Sequence, residues 1–517
     1  MMQDENLREF FNMHLRKRRW FGQKLENVEV CVEDVIPAYA KDNLKIRFYI
    51  LRAEPGGKKY FVPVAIGKNC WGILNGAVVH TIMERDSVVD IFEAEYLDIF
   101  PLFIYKMFEN GEKLKGQNSE IAFILLHRQK GVSVKRGEIL GGDTSNVNLR
   151  LFTGGKEMVL KTYRGIDAHN PEVEMMLKLS NSDFRNLPRV LGYAELHTPQ
   201  ESARVFLLLE YLPSSGDGIK AFMKDASFLL ATGGKKEIIE HSRELAIELG
   251  RITAEMHLNL VDETQKFCIE KVTEEDIARW KSKILENWNY CIEKLRVIPE
   301  TPSTQMVLEI VQKIQEEQIL GVIENAKKFT GMIKMRTHQD YHLGQVLYST
   351  GEKETFYVLD FEGEPSRKDE ERAEKLPPIR DVATMLRSFA YLKNFAFINY
   401  LEEILAIRGK KELAVSLAPA LFAGSKPELE INPKIPKILD RYERMLGDAF
   451  ISAYVENLQK RNQRLLPPEK ILPEVLKFWA LEKAIYELRY ELEHRVEYAG
   501  IPLEGILRTI SKELLES

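Results

Sequence analysis

MRTHQDYHLGQVLYSTGEKETFYVLDFEGEP, residues 335–365, is the stretch whose residue types and spacing decide the reading of the chain. His338-x-Asp340 is followed, after four intervening residues, by Gln345; then come a strand-like VLY, a turn, a second strand FYVL, and Asp360-Phe361-Glu362. Two carboxylates therefore flank a β-hairpin. That layout suits phosphoryl transfer, whose transition state needs little covalent help and much positioning. One carboxylate takes the proton of a hydroxyl, while an amide oxygen and a second carboxylate hold the metal that bridges phosphates. Asp340 is the candidate base, Gln345 and Asp360 are the candidate magnesium ligands, and His338 is expected to brace the loop. A polar turn capped by Asp340 would use the same residue types one at a time. The joint spacing favours the catalytic reading.

Upstream, NVNLRLFTGGKEMVLKTYRG (146–165) has two β-like runs around Gly154-Gly155, a hairpin signature. The preceding loop LGGDTSN (140–146) offers small and hydroxyl residues whose backbone N–H groups could curl round phosphate oxygens, with Thr144, Ser145 and Asn146 as candidates. A plain chain reversal explains the glycines equally. Lys161 ends the second strand, where an inward lysine reaches the α- and β-phosphates of ATP and an outward one is merely solvated. A helix is expected from NPEVEMMLKL, capped by Asn170 with Pro171 at its first position. Its Glu174 is the candidate partner of Lys161, although Glu172 and Glu174 would also complement the helix dipole. The strand in ARVFLLLEYLPSSGDG exits at Glu210 to Leu212, whose backbone would lie beside an adenine ring; a buried core strand accounts for the leucines as well.

The chain's periodicity changes near residue 212. Before it, NVEVCVEDVIPAY, NLKIRFYILRA and KKYFVPVAIG read as strands of a small N-terminal sheet. After it, SRELAIELGRITAEMHLNL, ARWKSKILENWNYCIEKL, STQMVLEIVQKIQEEQILGVIENAKKF and VLKFWALEKAIYELRYELEHRV repeat apolar residues at three and four. The connector PSSGDG (213–218) joins the two regimes. With 517 residues, more than one core is expected. A net charge of -5 from 73 basic and 78 acidic residues gives no reason to expect nucleic acid or a membrane surface as partner. Cys31, Cys70, Cys268 and Cys291 lack the short paired spacing of a zinc site or disulfide framework. The acidic start MMQDENLREFF and the lack of an uninterrupted 18-residue apolar run point to a cytoplasmic protein.

The run HQDYHLGQVLY…VLDFEGEP…LPPIRDVATMLRSFAY resembles the maltokinase family, kinases with an aminoglycoside-phosphotransferase-like fold that make maltose 1-phosphate from maltose and ATP. The resemblance extends to RRWFGQK (18–24), LKTYRGIDAHNPEVE, LGRITAEMHLNL and LEKAIYELRYELEHRVEYAGIPLEGI, and so spans nearly the whole chain. It implies an α+β, bilobal, protein-kinase-like fold: an N-terminal β-rich cap domain (1–105), a small β-rich lobe (106–212) and a large, mostly helical C-lobe (213–517), with ATP between the lobes. It also implies Asp340 as base, Gln345 and Asp360 on Mg2+, Lys161 on the phosphates and Glu174 as its partner. A place in α-glucan and trehalose metabolism, linked to a trehalose synthase and a maltosyltransferase, belongs to the same implication, and the expected state is a monomer. Two departures stand out. Gln339 occupies a position where the family commonly has glycine, which is tolerable for a side chain pointing outward. The GGDTSN loop also lacks the family's usual wording, leaving open which residue touches phosphate.

On the C-terminal helix, Phe478, Leu481, Ile485, Leu488 and Leu492 form the expected core stripe. Lys483, Tyr486 and Tyr490 line another face, where aromatic rings could cover the C–H surface of a sugar and polar tips could bond its hydroxyls. Packing on the catalytic hairpin would use the same residues. Arg380 and Asp381 are expected to brace the loop or cap a helix, and SRKDEERAEK (366–375) to be a solvated segment. Glucosamine or an aminoglycoside is the alternative acceptor, and a kinase-like binding protein without turnover the alternative class, since fold alone does not name a substrate.

Overall fold

A computed structural model describes residues 4–511 apart from 16–17, 19–20, 22–27, 42, 69–71, 75–76, 85–86, 129–131, 142–145, 167–169, 365–366, 407–410 and 426–430. The chain divides into two compact units: residues 1–181, 188–212 and 368–373 form one, and residues 182–187, 213–367 and 374–517 the other.

The first unit opens with helix α1 (Asp4–Leu15) and an antiparallel sheet of β1 (Glu29–Lys41), β2 (Leu44–Glu54), β3 (Lys58–Gly67), β4 (His80–Glu84) and β5 (Ser87–Glu93), in the order β1-β2-β3-β5-β4. Helix α2 (Phe100–Asn110) leads to a seven-stranded sheet of β6 (Lys113–Lys115), β7 (Glu120–Leu125), β8 (Val134–Leu140), β9 (Val147–Thr153), β10 (Met158–Thr162), β11 (Val190–His197) and β12 (Ser202–Glu210). The two sheets share one core. Phe48 and Phe61 of the first meet Phe206 of the second edge-on, with ring centroids 5.7 and 5.4 Å apart. Between β10 and β11, helix α3 (Pro171–Ser180) starts where Asn170 accepts a hydrogen bond from the Glu172 N–H and Pro171 takes the first helical position, as its sequence requires.

The second unit is mainly helical: α4 (Gly218–Thr232), α5 (Lys236–Leu260), α6 (Glu274–Arg296), α7 (Pro302–Val311) and α8 (Glu316–Glu324), then, beyond the one-turn α9 (Asp369–Arg372) that counts with the first unit, α10 (Ile379–Ala406), α11 (Ala414–Phe422), α12 (Lys434–Arg461), α13 (Leu472–His494) and α14 (Gly500–Ile510). Short strands complete it: β13 (Gly216–Asp217), the pair β14 (Glu270–Lys271) and β15 (Ile333–Lys334), and the hairpin β16 (Val346–Thr350) and β17 (Glu354–Val358). Helices α5 and α12 approach so closely at Gly250 that a Cβ there would lie 2.3 Å from the Phe450 carbonyl oxygen, which excludes any larger residue. The stretch 303–329, expected as one helical period, is instead α7, α8 and a 3₁₀ turn. Its apolar stripe runs through the buried Val307 and Ile310 and the half-buried Ile314, meets exposed Glu317 and Gln318, and restarts out of phase at buried Ile319 and Ile323. Among the described residues no helix is long and apolar enough to cross a membrane.

Candidate active site

In the second unit, β15 delivers the chain to Arg336–Tyr341, a loop buried almost throughout and held by its own backbone. Asp381, in the first turn of α10, accepts the His338 N–H on Oδ2 (2.8 Å) and the Gln339 N–H on Oδ1 (2.9 Å), and Arg380 Nη1 donates to the Gln339 carbonyl (2.8 Å). His257 of α5 reaches the same Asp381 Oδ2 at 3.1 Å and Tyr454 of α12 at 2.9 Å, so three helices converge on the loop. Hydrogen bonds to a charged carboxylate contribute about 1.5–3 kcal/mol each, enough to hold the left-handed Gln339 (φ 68°) in place. The Gln339 side chain points inward, contrary to expectation. It is 1% exposed and its amide donates to the Glu374 carbonyl at 2.8 Å. His338 Nε2 lies 2.8 Å from the Leu359 carbonyl oxygen and therefore carries the proton there; burial lowers its pKa, outweighing the pull of Asp381, so it stays neutral and braces the residue just before Asp360.

Gln345 and Asp360 stand at the two ends of the β16–β17 hairpin, paired from Val346↔Val358 to Thr350↔Glu354. The Leu359 N–H donates to the Gln345 carbonyl at 2.9 Å, which seats the start of one strand against the end of the other. Asp360 is left-handed as well (φ 60°), and its carboxylate and that of Glu362 lie within 4.8 Å of each other. Two carboxylates within that distance offer hard oxygen donors of the kind Mg2+ takes. Glu362 has no role in the spacing argument; the signal that points to it is its place two residues after Asp360.

Asp340 is buried, and its carboxylate meets a cation from far along the chain: Lys483 Nζ of α13 lies 3.1 Å from Oδ1 and 2.7 Å from Glu364 Oε1. Glu364 also pairs with Arg380 (3.1 Å) and Arg367, and Glu482 with Arg380 (3.2 Å) and Arg367. Burial alone would push the Asp340 carboxyl up; Lys483, with His342 beside it, outweighs this and holds it well below the usual carboxylate range. Glu364 is lowered to about 2 against its own burial by Arg367, Lys483 and Arg380. Lys483, expected among the sugar contacts, is thus engaged with two carboxylates. Tyr486 and Tyr490 follow it along α13, both half-buried, Tyr490 stacked on His494 at 4.4 Å. In the core stripe Phe478, Leu481, Ile485 and Leu488 are fully buried and Leu492 is half-buried.

The first unit carries the other candidates. Lys161, on β10 opposite Asn148 of β9, is 7% exposed and pairs with Glu172 Oε2 at 2.6 Å, an oxygen that also receives the Tyr163 hydroxyl at 2.5 Å. The carboxylate on Lys161 is therefore Glu172, and the expectation of Glu174 is corrected. Two residues along a helix turn a side chain by roughly 200°, and it is Glu172 that faces the sheet, 2% exposed, while Glu174 is half-buried. Asn146 is buried and accepts the Arg164 N–H at 3.4 Å; Thr144 and Ser145 lie outside the described residues. Glu210 ends β12 with its side chain 3.3 Å from Lys156, followed by half-buried Leu212.

No family model matches the chain. It is similar to a glucosamine kinase of Mycolicibacterium smegmatis, 22% identical over 337 residues that cover 64% of this chain and 70% of the relative. A glucosamine kinase of Streptacidiphilus jiangxiensis is 24% identical over 223 residues, 43% of this chain and 47% of that protein. Among solved structures, a glucosamine kinase in complex with glucosamine, ADP and inorganic phosphate superposes with a TM-score of 0.59 at 16% identity, covering 92% of both chains. The fold is therefore the kinase-like α+β fold, with β-rich and helical parts in the expected order.

Proposed function

We propose that the chain is an ATP-dependent sugar kinase that transfers the γ-phosphoryl group to a hydroxyl of a small sugar, with an amino sugar of the glucosamine class as acceptor. The observation that carries the reading is the buried, ionised Asp340 in a loop fixed by Asp381, next to a hairpin with Gln345 and Asp360 at its ends. Asp340 takes the proton of the acceptor hydroxyl. Gln345, Asp360 and Glu362 would hold Mg2+, which when bound would neutralise phosphate charge. Lys161, kept extended by Glu172, binds the phosphates of ATP, with Asn146 and the neighbouring Thr144 and Ser145 contributing donors and the Glu210–Leu212 backbone serving the adenine. Tyr486 and Tyr490 supply the surface on which a pyranose ring packs.

The acceptor reading moves from maltose to glucosamine because both sequence relatives and the similar solved structure are named for glucosamine. A screen with labelled ATP and magnesium against glucosamine, glucose, maltose and an aminoglycoside tests it. The expected result is the highest kcat/KM for glucosamine. Preference for maltose would return the chain to the maltokinase reading, and tight nucleotide binding without transfer to any acceptor would make it a binding protein.

A further inference from the structure

We propose that Lys483 is a positioning residue for this reaction: anchored on Glu364, its ammonium fixes Oδ1 of Asp340 and leaves Oδ2 as the oxygen that receives the sugar proton. The inference rests on the kinase reading and assigns Lys483 a task other than binding sugar. Its Nζ lies 2.7 Å from Glu364 Oε1 and 3.1 Å from Asp340 Oδ1, with Lys483 itself 6% exposed. Three cations (Lys483, Arg367, Arg380) face three anions (Asp340, Glu364, Glu482), so the buried network is neutral overall. Glu364, fully buried and held by two arginines, is the fixed end of the chain; Asp340, whose side chain is 12% exposed, is the end that reaches solvent. Its other oxygen, Oδ2, has His342 Nε2 at 3.6 Å, beyond hydrogen-bond distance. His342 Nδ1 accepts the Gly344 N–H at 3.0 Å, which leaves the proton on Nε2, facing Asp340.

A carboxylate with one oxygen held by the ammonium and the other faced only at 3.6 Å by His342 Nε2 has a defined direction for taking a proton. In the step, the acceptor O–H proton passes to Asp340 Oδ2, the acceptor oxygen forms its bond to the γ-phosphorus, and the bond to the β–γ bridging oxygen breaks with ADP leaving. The charged and titratable groups that bear on Asp340 are His342 and His338 of its own loop, Glu364 after the hairpin, and Lys483 of α13; Lys483 is flanked in turn by Tyr486 and Glu487.

The test compares wild type, Lys483→Met and Lys483→Arg in kcat and both KM values between about pH 3 and 9. Lys483→Met should lower kcat by about 10- to 100-fold through lost orientation and move the acid limb of the kcat profile up by roughly 1–3 pH units, with KM for ATP unchanged. Lys483→Arg should restore the position of the limb and part of kcat. A Lys483→Met protein with raised sugar KM but intact kcat and acid limb would overturn the proposal in favour of a simple sugar contact. Carboxylate 13C titration of the wild type, with Asp340 assigned by comparison with Asp340→Asn, reads the contact without a folded Met variant. The Asp340 carbon should stay ionised below the ordinary value of about 3.9. An active wild type whose Asp340 titrates at that ordinary value overturns the role alone; a wild type that phosphorylates no sugar removes the role together with the reading of function.

Discussion

On the proposed mechanism, replacing Asp340 by asparagine removes the base and little else, because the side chain keeps its shape and one oxygen that can still accept from Lys483. The ammonium retains Glu364 at 2.7 Å, so it is not left buried and unpaired. The loop itself is held through the backbone N–H groups of His338 and Gln339 on Asp381, neither of which involves the Asp340 carboxylate. The neutral network gains one net positive charge, which predicts a modest loss of thermal stability and no loss of fold. Removing a general base costs about 10²–10⁴ in rate, or roughly 2.7–5.5 kcal/mol on the barrier. The assay is coupled ADP release with glucosamine, alongside melting temperature and nucleotide affinity by calorimetry. Asp340→Asn should melt within a few degrees of wild type, bind ATP as before and lose at least about 10² in kcat. A folded variant within about threefold of wild-type kcat would refute the assignment, because removal of a general base typically costs at least about 10².

Three further outcomes follow. Glu172→Gln should lower kcat and weaken ATP binding by about tenfold, whereas Glu174→Gln should leave both nearly unchanged, since Glu172 carries the 2.6 Å contact to Lys161; steady-state kinetics of the pair decides. Asp360→Ala should raise the magnesium concentration needed for half-maximal activity by at least about tenfold or abolish turnover, read by magnesium titration at fixed ATP. Glu364, whose folded pKa of about 2 lies below its ordinary 4.5, contributes stability that is complete above 4.5 and lost as the pH falls towards 2. Glu364→Gln should therefore melt lower than wild type at neutral pH, with the difference shrinking across that window; a difference independent of pH would contradict the network's ionic character.

The β16–β17 hairpin was legible because its pattern is local: the spacing from His338 to Gln345 and the return to Asp360 fit within one turn and two strands. Local turn chemistry also placed α3, with Asn170 and Pro171 at its start, but did not fix which helical acid would face the sheet. That depends on how the helix is rotated against β10, and Glu172 rather than Glu174 faces Lys161. The Asp340–Lys483 pair joins residues 143 positions apart, and no periodicity encodes such a contact. Lys483 was visible only as one member of a polar stripe on α13, whose assignment to sugar or to packing needed the partner across the fold. The inward Gln339 was misjudged for a related reason: its left-handed backbone is paid for by Asp381, Arg380 and the Glu374 carbonyl, groups more than 30 residues away. Acceptor identity was least legible, since aromatic and charged residues on one helical face suit many sugars.

Phosphoryl transfer at this site is tested most directly by 31P NMR of purified protein with ATP, magnesium and glucosamine. ATP should be converted to ADP while an equal amount of a new sugar-phosphate resonance appears, neither change should occur without the sugar, and Asp340→Asn should suppress both. ATP that stays intact in the presence of every small sugar, with the protein folded and the nucleotide bound, would contradict the claim that this site transfers a phosphoryl group to a sugar.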